Sequence, residues 1–281
     1  MAALVACARL PWPVPPRTVV VDTRRQALCV RHSVVGGLCL SPGVFQDRSG
    51  GIPSFRDLRW LLGTMGLTGS ETAVVAGDDG TARDFVAGLL YLAGQRRVEV
   101  VRDPLTGWLS RHPRAVGTGR TRGVFREAIY TAWPRTRLVV LRRELAAALR
   151  RGPRVDLLDG RPGDGEWGPR TGQGIPGARS WPMALLGAGR GARPWRVAGR
   201  SIIAYGEDPY QSVAYFARLR MLGVRTRVFL GGWRAWSAQA RAARARRPGA
   251  FAMAPVWAKT LAAAAVGVII LILAWHRARR R

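Results

Sequence analysis

The chain's strongest constraint is that it spells one pattern twice. A short apolar run ending in an acid, TVVVD from Thr18, precedes a second run, TAVVAG, at 72–77. The helical pattern ARDFVAGLLYLAG follows, then RVEVV and the pair Gly107-Trp108. In the second half RVDLLD ends at Asp159, SIIAYG at Gly206 and SVAYFARLRMLG at Gly223, and RVFL leads into Gly231-Gly232-Trp233. Gly77 and Gly206, which end strands, lie 129 residues apart, as do Gly94 and Gly223, which end helices; Gly107 and Gly232 lie 125 apart. Such uniform offsets mark an internal duplication, with a period too long for a solenoid. Short Val/Ile/Leu runs alternating with amphipathic helices are the pattern of buried parallel strands. The predicted fold class is α/β: two domains, each a parallel sheet flanked by helices.

The repeat divides the chain into an N-terminal extension (1–17), a first domain (18–110), a linker (111–136) and a second domain (137–237). The linker is rich in Arg, Gly and Pro, with a short helix expected around Val124 to Ala132. An Ala/Arg run, Ala238 to Arg247, predicts a basic juxtamembrane helix within 238–255. Val256 to Trp275 is then a nearly unbroken apolar stretch. A helix needs roughly 20 such residues to cross about 30 Å of hydrocarbon. Its one charge, Lys259, lies where a long side chain snorkels, and Trp257 and Trp275 stand at the two ends as interfacial aromatics do. One transmembrane helix is therefore predicted there, with a basic tail at 276–281. Arginines are balanced on its two sides. MAALVACARLPWPVPP lacks the charged leader of a signal peptide, so the expectation is a tail-anchored protein with its domains in the cytoplasm.

The net charge of +28 would ordinarily suggest nucleic acid, but here the excess is almost all arginine, spread through every segment without a recognition motif. The expected partners are membrane lipid, through the C-terminal helix, and a protein; specific nucleic-acid binding is not expected. Cys7, Cys29 and Cys39 form no CxxC, and His32, His112 and His276 are scattered, so neither a disulfide framework nor a zinc site is expected, and no cofactor. GAGRGAR at 187–193 follows no strand and lacks the last glycine of a dinucleotide fingerprint.

Three motifs carry a resemblance: LLDGRP at 157–162, IPGA at 175–178 and RVFLGGWRAW at 227–236. Together they resemble the rhodanese family of sulfurtransferases in its tandem-domain form, through Asp159, Arg161, Gly232 and Trp233. The first half is similar more loosely, through Val21 to Arg24, His32, Asp78-Asp79-Gly80 and Gly107-Trp108. The resemblance implies a cysteine at the end of the central strand, its thiolate held by backbone N–H groups and a helix N-terminus while it carries sulfane sulfur from thiosulfate or mercaptopyruvate. In this chain that loop reads Tyr205, Gly206, Glu207, Asp208, Pro209, Tyr210, Gln211, Ser212, and Gly206 fills the cysteine position. No cysteine lies beyond Cys39. Glu207 and Asp208 bring negative charge where an anionic substrate would sit, and Pro209 removes a backbone donor. As aligned, the family's turn histidine is Gly174 and a further arginine falls near Gly165.

Three readings follow: a catalytically silent tandem rhodanese-like binding or scaffold module at a membrane; an active sulfurtransferase using Cys29, Cys39 or a partner's cysteine; or a non-rhodanese α/β protein or an enzyme of different chemistry in the same pocket, with Glu207 and Asp208 as paired carboxylates.

Overall fold

The computed structural model describes residues 3–123, 125, 127–150, 155–162, 174–186 and 201–245. Met1–Trp236 forms one compact unit; of the other, Ser237–Arg281, only the continuation of a helix to Ala245 is described. The predicted membrane span at 256–275, the basic tail, Gly165 and the 187–193 loop lie outside the described residues. Among the described residues no helix is long and apolar enough to cross a membrane.

The first lobe runs β1 (Ala3–Cys7), β2 (Thr18–Asp22), α1 (Gln26–Arg31), β3 (Ser33–Val34), β4 (Leu38–Cys39), α2 (Phe55–Thr64), β5 (Thr72–Ala76), α3 (Gly80–Ala93), β6 (Arg97–Val101) and α4 (Leu105–Arg111). The connecting segment adds β7 (Val116–Gly117), antiparallel to β3. The second lobe runs β8 (Val139–Val140), α5 (Arg142–Arg150), β9 (Val155–Asp159), β10 (Ala178–Ser180), β11 (Ser201–Tyr205), α6 (Pro209–Met221), β12 (Thr226–Phe229) and α7 (Gly232–Ala245).

The duplication is visible in the topology. One parallel sheet has the order β1-β6-β5-β2-β4, and the other reads β8-β12-β11-β9-β10 from the equivalent edge. The helix starts are duplicated too. Asp79 caps α3 by accepting from the N–H groups of Thr81 and Ala82, and Asp208 caps α6 by accepting from that of Gln211. Such a cap contributes about 1 kcal/mol by satisfying amides that have no partner within the helix. At the far end of α3, Gly94 adopts φ 111°, the left-handed conformation that closes a helix at least cost to glycine.

The lobes share a core. Phe85, Val86 and Leu89 of α3 cluster with Val213, Phe216 and Ala217 of α6. α3 is buried from Ala82 through Ala93, which suits a helix covered on every face. Across the same contact Arg218 donates to Asp84 (Nε···Oδ2 2.6 Å), and Arg220 donates to the Tyr91 hydroxyl at 2.9 Å.

Three expectations are corrected. The segment read as an N-terminal extension supplies β1, an edge strand in register with β6 from Ala3–Arg97 to Cys7–Val101, so residues before 18 belong to the first sheet. The described residues between 124 and 132 are not helical: Tyr130 is buried and donates to Gln95, while Ile129 and Trp133 point outward, an alternation of extended chain. Cys29 and Cys39 form a disulfide with Cα atoms 5.7 Å apart, where no disulfide was expected. Burial explains the pairing: α1 and β4 place both residues in the interior, under Gly119 of the connecting segment, where a Cβ would strike both sulfurs.

Candidate functional site

Asp22-x-Arg24 and Asp159-x-Arg161 build one device twice. In each, the arginine's own N–H and its guanidinium turn back onto the aspartate that ends the strand. The N–H distances are 2.9 and 3.0 Å, and the Nη2···Oδ2 distance is 2.7 Å in both. A third donor completes each carboxylate: Ser33 Oγ at 2.7 Å on Asp22, and the Tyr205 hydroxyl at 2.6 Å on Asp159. A buried charge pair persists only when its remaining hydrogen-bonding capacity is met this way. Burial opposes the Arg161 charge, but the hydrogen bonds and charge of Asp159, aided by Tyr205 and Glu207, raise its pKa. Burial, then the Asp159 charge, pushes the Tyr205 phenol up, so it stays a neutral donor.

From there Arg161 reaches the loop between the central strand and its helix directly, and Arg24 reaches its counterpart through Thr106. Arg161 meets Glu207 at 3.5 Å and stacks over the Trp233 ring at 4.7 Å. Arg24 donates to Thr106 Oγ1, which donates in turn to Asp78, the residue equivalent to Glu207. The motif residues Asp159, Arg161 and Trp233 therefore act together as a clamp on the loop.

The loop itself is short: only Gly206, Glu207 and Asp208 separate β11 from α6. Its groups are engaged. The Gly206 N–H donates to Ser212 Oγ at 2.9 Å and the Glu207 N–H to Gln211 Oε1 at 3.3 Å. Their carbonyls accept from the N–H groups of Trp233 and Arg234, both at 2.9 Å. Gly232, at φ 62°, lets the closing corner approach: a Cβ there would stand 2.8 Å from the Asp208 nitrogen and the Glu207 carbonyl.

A Cβ on Gly206 would lie 2.7 Å from Gln211 Cβ and 2.8 Å from both Gln211 C and Ser212 N. Nothing larger than hydrogen fits without moving the first turn of α6.

The two acids predicted to repel an anion have other duties. Glu207 lies between Arg161 and Arg234, each 3.5 Å away, and Asp208 is the α6 cap. Pro209 is the first helical residue, where its missing N–H removes nothing the helix uses. Tyr210 faces the first lobe, its ring 4.8 Å from that of Phe85, and burial pushes its phenol up. Gly174 sits beside the Tyr205 hydroxyl and Asp159.

A cleft of about 460 Å³ lies where the two helix starts meet, lined by Asp79, Thr81, Pro182, Met183, Gln211 and Arg218 among others. Gln211 both lines the cleft and fills the space a side chain at 206 would enter. The cleft's arginine is already paired with Asp84. Among the described residues no cluster of His, Cys, Asp and Glu fits a metal ion. The Asp84–Arg218 pair has no local signal in the sequence, its partners lying 134 positions apart.

No protein-family model and no curated protein matches this sequence. Solved structures do. A probable thiosulfate sulfurtransferase matches with TM-score 0.55 and 24% identity, over 81% of this chain and 97% of that one. SseA from Escherichia coli, a 3-mercaptopyruvate sulfotransferase with the rhodanese fold, matches with TM-score 0.59 and 16% identity, over 76% and 91%. YnjE matches with TM-score 0.60 and 18% identity, and the chain spans 60% of its length. The chain therefore has the tandem rhodanese-like fold.

Proposed function

We propose that this protein is a catalytically silent member of the tandem rhodanese-like group, acting as a binding or scaffold module held at a membrane by residues 256–275. The observation that carries the reading is the closed environment of Gly206. Persulfide chemistry needs a sulfur at that position and free amides around it. Here a side chain has no room, and the Gly206 and Glu207 amides are already bonded to Ser212 and Gln211.

The other cysteines offer poor replacements. Cys29 and Cys39 are bonded to each other and buried. Cys7 is half-buried, and desolvation, followed by the Glu99 charge, raises its pKa, which starves it of thiolate at neutral pH. The disulfide also bears on location. Such bonds persist in oxidising compartments, which favours extracytoplasmic lobes over the cytoplasmic placement expected from the N-terminus.

The test is sulfur transfer by the full chain from thiosulfate and from mercaptopyruvate to cyanide. The silent reading expects no turnover above buffer, with or without reductant. Turnover abolished by Cys7→Ser, Cys29→Ser or Cys39→Ser would replace it with the active-enzyme reading. A reporter fused after Arg281 checks the orientation and should report the cytoplasm.

A further inference from the structure

β2, β5 and β6 begin side by side: Thr18 is the Cα partner of Thr72, and Thr72 that of Arg97. This register gathers Arg17, Arg96 and Arg97 at one pole of the first sheet. They line a hollow of about 370 Å³ with Pro16, Ser70 and Thr72, and none of its lining residues is acidic.

Arg97 is paired with Glu99 at 2.6 Å, but among the described residues Arg17 and Arg96 have no carboxylate partner. Glu71, between the lining residues Ser70 and Thr72, is engaged locally: its carboxylate accepts from the N–H groups of Thr68 and Gly69 and from the Thr68 hydroxyl. Arg17 is also the one non-glycine residue with positive φ among the described residues, at 56°. That conformation costs roughly 1–2 kcal/mol relative to an ordinary one. Glycine would hold the same turn without that cost, so the turn alone does not call for an arginine.

Three like charges gathered with one carboxylate among them repel one another, and guanidinium forks beside hydroxyls match the oxygens of a tetrahedral dianion. We propose that this hollow binds a phosphate-type oxyanion, either free phosphate or the phosphomonoester of a lipid headgroup. It sits at the N-terminal ends of the strands, whereas ligands of open α/β sheets ordinarily occupy the carboxyl ends. It is therefore a site separate from the inter-lobe cleft.

The test titrates inorganic phosphate into the full chain in uncharged detergent, at constant ionic strength set with chloride. Arg17→Gln with Arg96→Gln should weaken binding about tenfold, equivalent to about 1.4 kcal/mol. Arg17→Gly removes the side chain together with the backbone strain, so it keeps the fold and should still weaken binding. A charge-matched control, Arg48→Gln with Arg56→Gln, alters exposed arginines that line neither hollow nor cleft and should leave binding within about twofold of the parent. A second arm titrates dihexanoyl phosphatidic acid against dihexanoyl phosphatidylcholine. Tighter binding of the acid than of inorganic phosphate, lost in the Arg17/Arg96 variant, assigns the lipid headgroup; equal binding assigns free phosphate. Equal losses in pocket and control variants, or loss in neither, would overturn the proposal.

Discussion

Placing a cysteine in the β11–α6 loop by Gly206→Cys is the most informative single perturbation. Two of the three atoms that a new Cβ would strike at 2.7–2.8 Å, Gln211 C and Ser212 N, are backbone of the first turn of α6. Relief requires shifting that turn or breaking the Gly206–Ser212 hydrogen bond. Overpacking of this kind costs about 1–3 kcal/mol. In a unit of this size, each kcal/mol lowers the melting temperature by about 3 °C. Gly206→Ala, which adds the Cβ alone, should therefore lower it by roughly 3–9 °C, and Gly206→Cys by at least as much. The first lobe supplies an internal control. At Gly77 a Cβ meets chiefly Thr23 Oγ1, which can rotate away and lose one hydrogen bond to Ala76, so Gly77→Ala should cost only about 1 kcal/mol. Thermal unfolding by near-ultraviolet circular dichroism measures the shifts, and a thiosulfate-to-cyanide assay measures transfer. If Gly206→Cys melts with the parent and turns over thiosulfate, the steric account of the loop is wrong.

Three further outcomes are expected. Asp84→Ala strands Arg218 in the lobe contact and should cost about 3 kcal/mol or more, whereas Asp84→Ala combined with Arg218→Met should recover most of that loss in a denaturant series. Replacing Cys29 and Cys39 together by serine frees a crosslink spanning 10 positions and should cost about 3 kcal/mol from chain entropy. Hydrogen exchange should rise at 116–120, which lies over the bridge. Cys7 should alkylate more slowly than a free cysteine at pH 8. Because its folded pKa lies above the ordinary range, the rate should keep climbing at alkaline pH after a model thiol has levelled off; early levelling would show the thiol to be unperturbed.

Much of the architecture was legible because it rests on local chemistry. Runs such as TVVVD and SIIAY have no better fate than a buried parallel strand, and Gly94 and Gly223 mark helix ends because φ reaches 111° and 82° there. The Asp-x-Arg pairs were visible through the family resemblance, and their hydrogen bonds close within two residues. What escaped depends on distant partners. Phe125, Ile129 and Trp133 recur every fourth residue, a spacing compatible with a helix, yet burial of Tyr130 against Gln95 holds that segment extended. Glu207 read as a charge facing a substrate because Arg234 is close only in space. Cys29 and Cys39 carry no spacing signal; only the packing of α1 against β4 brings them within bonding distance.

Gly88 has a consequence for how this protein can exist at all. A Cβ there would stand 2.6 Å from Val213 Cγ1 and 2.9 Å from the Val213 carbonyl oxygen, so α3 and α6 touch nearly backbone to side chain. Helices seated that closely do not slide past one another without losing the contact over their whole shared length. The two halves of the ancient repeat have thus become an obligate pair inside one chain. Either half expressed alone would offer a bare apolar helix to solvent.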